Sequence, residues 1–466
     1  MSTATPGAER TPTGGLTRAP TEAPITLADD VPHTLGLRDQ LGLWGNLGIS
    51  LLGFGGAIAI QAPTGFPVLP FAGALLAVLV GTAFGALALG FSLVLGARTR
   101  TPAMVLLRGL LGYRASGLPT VLNIAQCLGW GSFELVVIAE ACHSLTHGAI
   151  GTWPVIVAIG TLTTILTIRP LGTIYLLRQF VSILVMIAIL VLAVGLLRQP
   201  LPASHGSWTG FWVGVDAALA VAISWVPLGA DYARHSRTGR AAFSGGLIGF
   251  GTAQVACYGI GLVALARTGY NPDGVFEVFL SLPLGVAAFG VLILRETDQS
   301  FANVYSTAVS VQNLRPAWDR RVLTVAVGAV TTGLALSVDL DRFVSFLYLI
   351  GAVFVPLTGV LLAAWARTGG PGWDTSGTAP TRPAMIAAWA AGCVTYQLIN
   401  PGAVSGWSTL WARAGSALHL AGHPWLSASI TSFAVAAAIA YPLAGRRHAS
   451  DETPILTAEP LLGDPS

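Results

Sequence analysis

The chain has 466 residues, 53% of them hydrophobic and only 10% charged, against roughly 25% charged in an ordinary globular domain. Its 24 basic residues are all arginine, and with 21 acidic residues they leave a net charge of +3. So few charges cannot cover a water-facing surface of this length, which excludes a soluble enzyme, a disordered protein and a nucleic-acid binder. The composition is that of a polytopic, all-α membrane protein.

Residues 1–38 are rich in Thr, Pro and Ala and lack the apolar core of a signal peptide, so they read as a disordered cytoplasmic tail. A helix crossing about 30 Å of hydrocarbon needs around 20 mostly apolar residues. That template fits near 42–62, 68–96, 120–146, 153–168, 179–197, 211–232, 243–266, 283–311, 322–338, 343–366, 383–399 and 423–444, twelve spans in all. They form one transmembrane domain over 39–445, followed by a second cytoplasmic tail at 446–466. The fourth span is short and the eleventh interrupted, so the arginines are used to test the count. With the N-terminus inside, cytoplasmic loops hold Arg98, Arg100, Arg108, Arg114, Arg169, Arg178, Arg234, Arg237, Arg240, Arg315, Arg320, Arg321, Arg367 and Arg382, with Arg446 and Arg447 after the last span. The opposite side holds Arg198, Arg267, Arg342 and Arg413. Sixteen against four is the positive-inside bias of a plasma-membrane protein with both termini cytoplasmic.

Cys127, Cys142, Cys257 and Cys393 lie singly in apolar stretches with no CxxC pair or Cys/His cluster, and read as small buried hydrophobes. Four spans depart from what lipid-facing helices prefer. Span one carries Gly45, Asn46, Gly48, Ser50, Gly53, Gly55 and Gly56, which suits tight helix packing or the close approach of a ligand. In span three, Trp130 and Glu134 are four apart and share a helix face. A carboxylate at that depth needs a cavity or a partner, since burying it unpaired costs several kcal/mol. Span six carries Pro227 and Gly229 shortly before Asp231, which predicts either a break with freed carbonyls or a simple kink. Span eight packs Arg295, Glu296, Thr297, Asp298, Gln299, Ser300 and Asn303 into its middle; a structural Arg295–Glu296 pair and a binding site both fit. Discontinuous spans five apart are the signature of a five-plus-five inverted repeat with its site at the breaks. Repeat one then runs over about 39–198, repeat two over about 208–366, and two extra helices over 383–444.

At these residues the sequence resembles the nucleobase–cation symporter-1 family of purine–cytosine permease-like proteins. The likeness is carried by 42–48 (GLWGNLG), 102–108 (PAMVLLR), Gly129 and Trp130 followed by Glu134, 227–234 (PLGADYAR), and 303–306 (NVYS). It implies a leucine-transporter-like fold of two inverted five-helix repeats plus two helices. It also implies a secondary active symporter that imports a nucleobase-like ring by alternating access. Carried over by position, Trp130 stacks on the ring, Glu134 reads its edge, Trp225 closes over it, Asn303 bonds it, and Gly48 lets it approach span one. Gly45 and the pair Thr297 and Asp298 stand at the cation site, an Na+ site at Thr297 and Asp298 in sodium-coupled relatives. Asp298 replaces a hydroxyl there, so the coupling ion is Na+ or H+. Pro227, Gly229, Asp231 and Arg234 stand as gate and scaffold, with Asp231 paired to an arginine such as Arg108. Residues 272–277 stand as an outer gating helix.

An ionised Glu134 accepts hydrogen bonds and donates none, which favours an aminopyrimidine or aminopurine such as cytosine over an oxo-only ring. Allantoin, hydroxymethylpyrimidine or another vitamin precursor are alternatives on the same fold. HExxH and GxSxG motifs are absent, so neither an enzyme nor a cofactor is expected. The expected partners are a small-molecule ring and the lipid bilayer, with no nucleic acid and no obligate protein partner.

Overall fold

The computed structural model describes residues 22–176, 181–198, 200, 205–369 and 372–445. Arg178, Arg446, Arg447, the first 21 residues and the tail 446–466 lie outside the described residues. The regular elements are helices: α1 (Leu37–Leu47), α2 (Leu51–Gly56), α3 (Ile58–Gln61), α4 (Phe71–Thr99), α5 (Ala103–Leu111), α6 (Gly117–Leu145), α7 (Thr152–Ile168), α8 (Pro170–Leu176), α9 (Ser182–Leu197) and α10 (Phe211–Ser224). They continue with α11 (Val226–Ala233), α12 (Gly239–Ser244), a π-helical turn (Gly245–Phe250), α13 (Gly251–Arg267), α14 (Val275–Leu280), α15 (Gly285–Leu314), α16 (Arg320–Ala335), α17 (Phe343–Thr368), α18 (Pro383–Ile399), α19 (Trp407–Ala417) and α20 (Ala428–Ala444).

Each of the twelve predicted spans coincides with a helix or an interrupted helical unit, the fifth from Ser182 onward. Five units are long and apolar enough to cross a membrane unaided, and α1 with α2–α3 makes a sixth, bent by 54°. The 30-residue α15 has the length but carries three charges in its middle. Charge at that depth is tolerated where it faces other protein, and Arg295, Glu296 and Asp298 are all buried.

Helices α6, α7, α15 and α16 pack together as one group, and α1, α4 and α10–α13 as another; α17, α18 and α20 form a third. Lipid gives no hydrophobic push between helices, so close packing relies on small residues. A Cβ on Gly81 would lie 2.4 Å from Val215 O, and one on Gly96 would lie 2.6 Å from Ala230 Cα. Those glycines let α4 lie directly on α10 and α11. The last helix is joined to the second group by a buried carboxylate. Asp216 accepts from Ser427 Oγ (2.5 Å), Ala428 N (2.8 Å) and Ser429 N (3.1 Å), satisfying the free N–H groups at the start of α20.

Span six differs from span one. Trp225 alone interrupts it, at φ −82° and ψ −18°, so the chain stays close to helical. The interruption is a kink whose carbonyls are met from α6: Gln126 Nε2 donates to Ser224 O (3.0 Å) and Asn123 Nδ2 to Pro227 O (3.3 Å).

Residues 22–38, expected to belong to a disordered tail, are instead docked across one end of the bundle. Glu22 accepts from Leu171 N (2.9 Å), Pro24 O accepts from Arg320 Nε (2.9 Å), and Ile25 O accepts from Gln312 Nε2 (2.7 Å). Leu35 then pairs with the α11–α12 loop, its N–H on His235 O (3.0 Å) and its carbonyl on Arg237 N (2.8 Å). Composition missed this segment because its anchors lie on other helices.

His235 sits under the segment, with Nδ1 3.0 Å from Pro32 O. Burial and the Arg234 charge push its imidazole down from 6.5 to about 3. Docking therefore holds a neutral ring, and its stability is full above pH 6.5 and lost as pH falls toward 3. Hydrogen exchange at the Leu35 and Arg237 amides, normalised for intrinsic rate, should accelerate below pH 6.5; His235→Gln should flatten that dependence. Protection that does not change with pH would remove this role from His235.

Candidate functional site

Span one stops being helical at Gly48 and resumes after Ser50, whose Oγ caps α2 by accepting from Leu52 N (3.0 Å). Gly48 is required there by its neighbours, since a Cβ would sit 2.6 Å from Phe250 O and 2.8 Å from Ala253 Cβ. A break inside a bilayer frees carbonyls that lipid cannot satisfy. Here α15 satisfies them. Gln299 Nε2 donates to Leu47 O (3.1 Å) and Ile49 O (2.6 Å), and the Arg295 guanidinium donates to Asn46 O.

Beside the break lies a cavity of about 30 Å³. Gly48 and Ser50 line it from span one, Trp130 from α6, Ser224 and Trp225 from span six, Gln254 from α13, and Gln299 and Asn303 from α15. Trp130 is braced edge-on by Phe343 (5.6 Å) and Phe346 (5.4 Å), and Trp225 by Trp44 (6.0 Å) and Phe250 (6.3 Å). Among the described residues, Trp130 Nε1 and Gln254 Oε1 are buried without a hydrogen-bond partner. The wall thus offers an unused donor and an unused acceptor between two indoles, the complement of a flat heterocycle. At 30 Å³ the cavity is closed too tightly to hold a ring, for which on the order of 150 Å³ suffices. Binding a ring must therefore widen it.

The structure brings Trp130, Trp225, Asn303 and Gly48 to one cavity. Glu134 lies apart from that wall. It is 1% exposed, its carboxyl faces that of Glu296, and neither of its oxygens has a donor among the described residues. The physical reason is register: the polar turn of α15 begins at Arg295, two turns before Asn303, and the carboxyl of Glu134 meets that end of it.

At the expected cation site, Asp298 accepts from Asn46 Nδ2 at 2.5 Å and Thr297 is buried beside it. The carbonyls of span one that face α15 belong to Asn46, Leu47 and Ile49. Gly45 instead packs on Gly249, 3.6 Å from its oxygen to a Cβ position. Among the described residues no group of three His, Cys, Asp or Glu side chains is placed to hold a metal.

Asp231 does not pair with Arg108. It accepts from Ala103 N (2.9 Å) at the start of α5, while Arg108 donates to Asn313 Oδ1 (2.7 Å) and Asn313 O (2.8 Å). Arg234 donates to Tyr305 Oη at 3.0 Å, tying the end of α11 to α15. Gly229 lies against Leu93 of α4, and Pro227 offers its carbonyl to Asn123. The segment 272–277 forms a short turn leading into α14, whose Phe279 packs on Phe54 at 5.0 Å.

Sequence reasoning missed Gln254, which donates to Ala218 O (2.8 Å) and Thr82 Oγ1 (2.9 Å) and turns its oxygen to no partner. An amide in the apolar run 253–265 was the available signal. It also missed the cap formed by Asp216.

Comparison with known proteins agrees with this architecture. A family described as permeases for cytosine/purines, uracil, thiamine and allantoin matches residues 59–370. No curated protein sequence matches the chain. Among solved structures, Mhp1, a nucleobase-cation-symport-1 family transporter in a closed conformation with bromovinylhydantoin bound, aligns with TM-score 0.70 at 17% identity, covering 91% of this chain and 95% of that one. A Na+-coupled sialic acid symporter in a substrate-bound outward-open state aligns with TM-score 0.57 at 13% identity, over 90% of this chain and 92% of that one. MhsT in complex with L-phenylalanine aligns with TM-score 0.53 at 17% identity, over 89% and 100%. The shared fold is the leucine-transporter-like one. The chain is a multi-pass membrane transporter, not an enzyme, and belongs to the nucleobase–cation symporter-1 family of permeases for cytosine/purines, uracil, thiamine and allantoin.

Proposed function

We propose that this permease is a cation symporter that imports a nucleobase-like ring through the cavity at the span-one break, with both termini cytoplasmic. The observation that carries the reading is the cavity wall itself, where two braced indoles flank Asn303 and unused polar atoms of Trp130 and Gln254. Stacking on an aromatic face suits any flat ring, and amides that both donate and accept select its edge. Cytosine, or a related aminopyrimidine or aminopurine, is the favoured cargo. Its amino donor and ring-nitrogen acceptor, on adjacent edge atoms, suit the Gln254 oxygen and the Trp130 N–H that the wall leaves unused. A ureide or hydroxymethylpyrimidine on the same fold is the competing cargo.

Uptake of labelled cytosine into vesicles bearing the protein, with unlabelled rings as competitors, tests the reading. Cytosine and adenine should compete most strongly, and uracil, allantoin and hydroxymethylpyrimidine less. Equal competition by uracil would remove the amino-ring preference, and transport of none of these rings would remove the nucleobase reading altogether.

Trp130→Ala should weaken apparent affinity by about 5- to 150-fold, the worth of one stacked base (~1–3 kcal/mol). Glu134→Gln should fold, because its amide gives the facing Glu296 carboxyl an N–H donor worth about 1 kcal/mol or more. A Gln variant with a lowered melting temperature would count against this pairing of Glu134 with Glu296.

A further inference from the structure

The carbonyls of Asn46, Leu47 and Ile49 and the carboxylates of Glu296 and Asp298 gather oxygen atoms on one side of the span-one break. Clustered carbonyl and carboxylate oxygens are what a hard cation takes as ligands. Yet these oxygens already have donors. Arg295, 1% exposed, reaches across from α15 to Asn46 O and holds Glu296 Oε2 at 3.1 Å. Gln299 takes Leu47 O and Ile49 O, Ser50 Oγ donates to Glu296 Oε1 (2.7 Å), and Asn46 Nδ2 donates to Asp298.

The site therefore does not fit an exchangeable sodium ion, and we infer that Arg295 is its resident cation. A guanidinium fixed to α15 does at the helix break what a bound alkali ion would do: it satisfies the freed carbonyl and balances a carboxylate. Three features support this. A guanidinium offers five N–H donors and no acceptor, so it faces these oxygens only as a donor. Its planar fork reaches a carbonyl of one span and a carboxylate of another at once. A second monovalent cation entering among these oxygens would stand within ångströms of a like charge in a low-dielectric interior, where repulsion is strong. Transport is then independent of sodium, and a symporter of this construction draws on the proton gradient.

This inference takes its functional consequence from the transport reading above, but its first test does not depend on that reading. Binding of radiolabelled sodium to the purified full-length protein requires no knowledge of the cargo. The wild type should show no saturable sodium binding. Arg295→Ala, which removes the tethered charge and exposes the oxygens, should acquire it. Arg295→Lys keeps a cation in place and should stay close to the wild type. In vesicles, replacing sodium by choline should leave wild-type uptake of the transported ring within about twofold, and a protonophore should abolish it. Saturable sodium binding by the wild type would overturn the inference. So would an Arg295→Ala protein that elutes as a folded monodisperse species and still binds no sodium. If Arg295→Ala does not fold, the wild-type and Arg295→Lys measurements decide alone. Failure to transport any tested ring would strike the cargo assignment and leave the sodium measurement standing.

Discussion

A helix broken inside a bilayer leaves carbonyl oxygens that lipid cannot solvate, and each one left bare costs several kcal/mol. This chain breaks span one at Gly48 and interrupts span six at Trp225, and the arrangement of α6 and α15 follows from covering those breaks. Arg295 and Gln299 reach from α15 to span one, and Asn123 and Gln126 reach from α6 to span six. The two helices that supply these side chains also pack against each other. Asn123 Nδ2 bonds Ser310 Oγ at 2.9 Å, and Asn313 Nδ2 bonds Thr120 Oγ1 at 2.8 Å. The polar residues that looked anomalous in apolar spans are thus the fold's internal solvent for backbone.

The same constraint explains what the sequence made legible. Span positions were readable because a bilayer demands long apolar runs, and a helix or interrupted helical unit stands at each of them, even where α15 carries three charges in its middle. Trp130, Trp225 and Asn303 were readable as one site because the family's motifs keep their order, and the structure places all three on one wall. Partners were not readable. Asp231 and Arg108 are close in type and plausible in charge, yet Asp231 caps α5 and Arg108 holds Asn313. Asp216 binds residues more than 200 positions away in the chain. No periodicity encodes such a pairing. Only the packing of α10 against α20 brings the carboxylate to a helix start. Glu134 is an intermediate case: its depth and its need for company were plain, while its direction toward Glu296 depended on the relative register of α6 and α15.

Tightness is the other property the site displays. A cavity of about 30 Å³ between two indoles, lined from six helical units, can admit a ring only if those units separate. Side chains alone have little freedom there, because each indole is wedged by aromatic neighbours at 5–6 Å. The widening therefore belongs to helices moving as bodies, the behaviour expected of a fold with its site between repeats.

The docked segment 22–38 gives that motion a cost at one end of the molecule. Its bonds begin at Leu171 after α7 and at Gln312 and Arg320 of α15 and α16, then finish on the loop between α11 and α12. The first anchors belong to one packing group and the last to the other. Rotation that parts the groups at this end must peel the segment from one side, giving up roughly 0.5–1.5 kcal/mol for each hydrogen bond lost. A short peptide thus bridges two packing groups at one end of the bundle. Any opening of the bundle at that end would have to break one set of these bonds, far from the cavity at the span-one break.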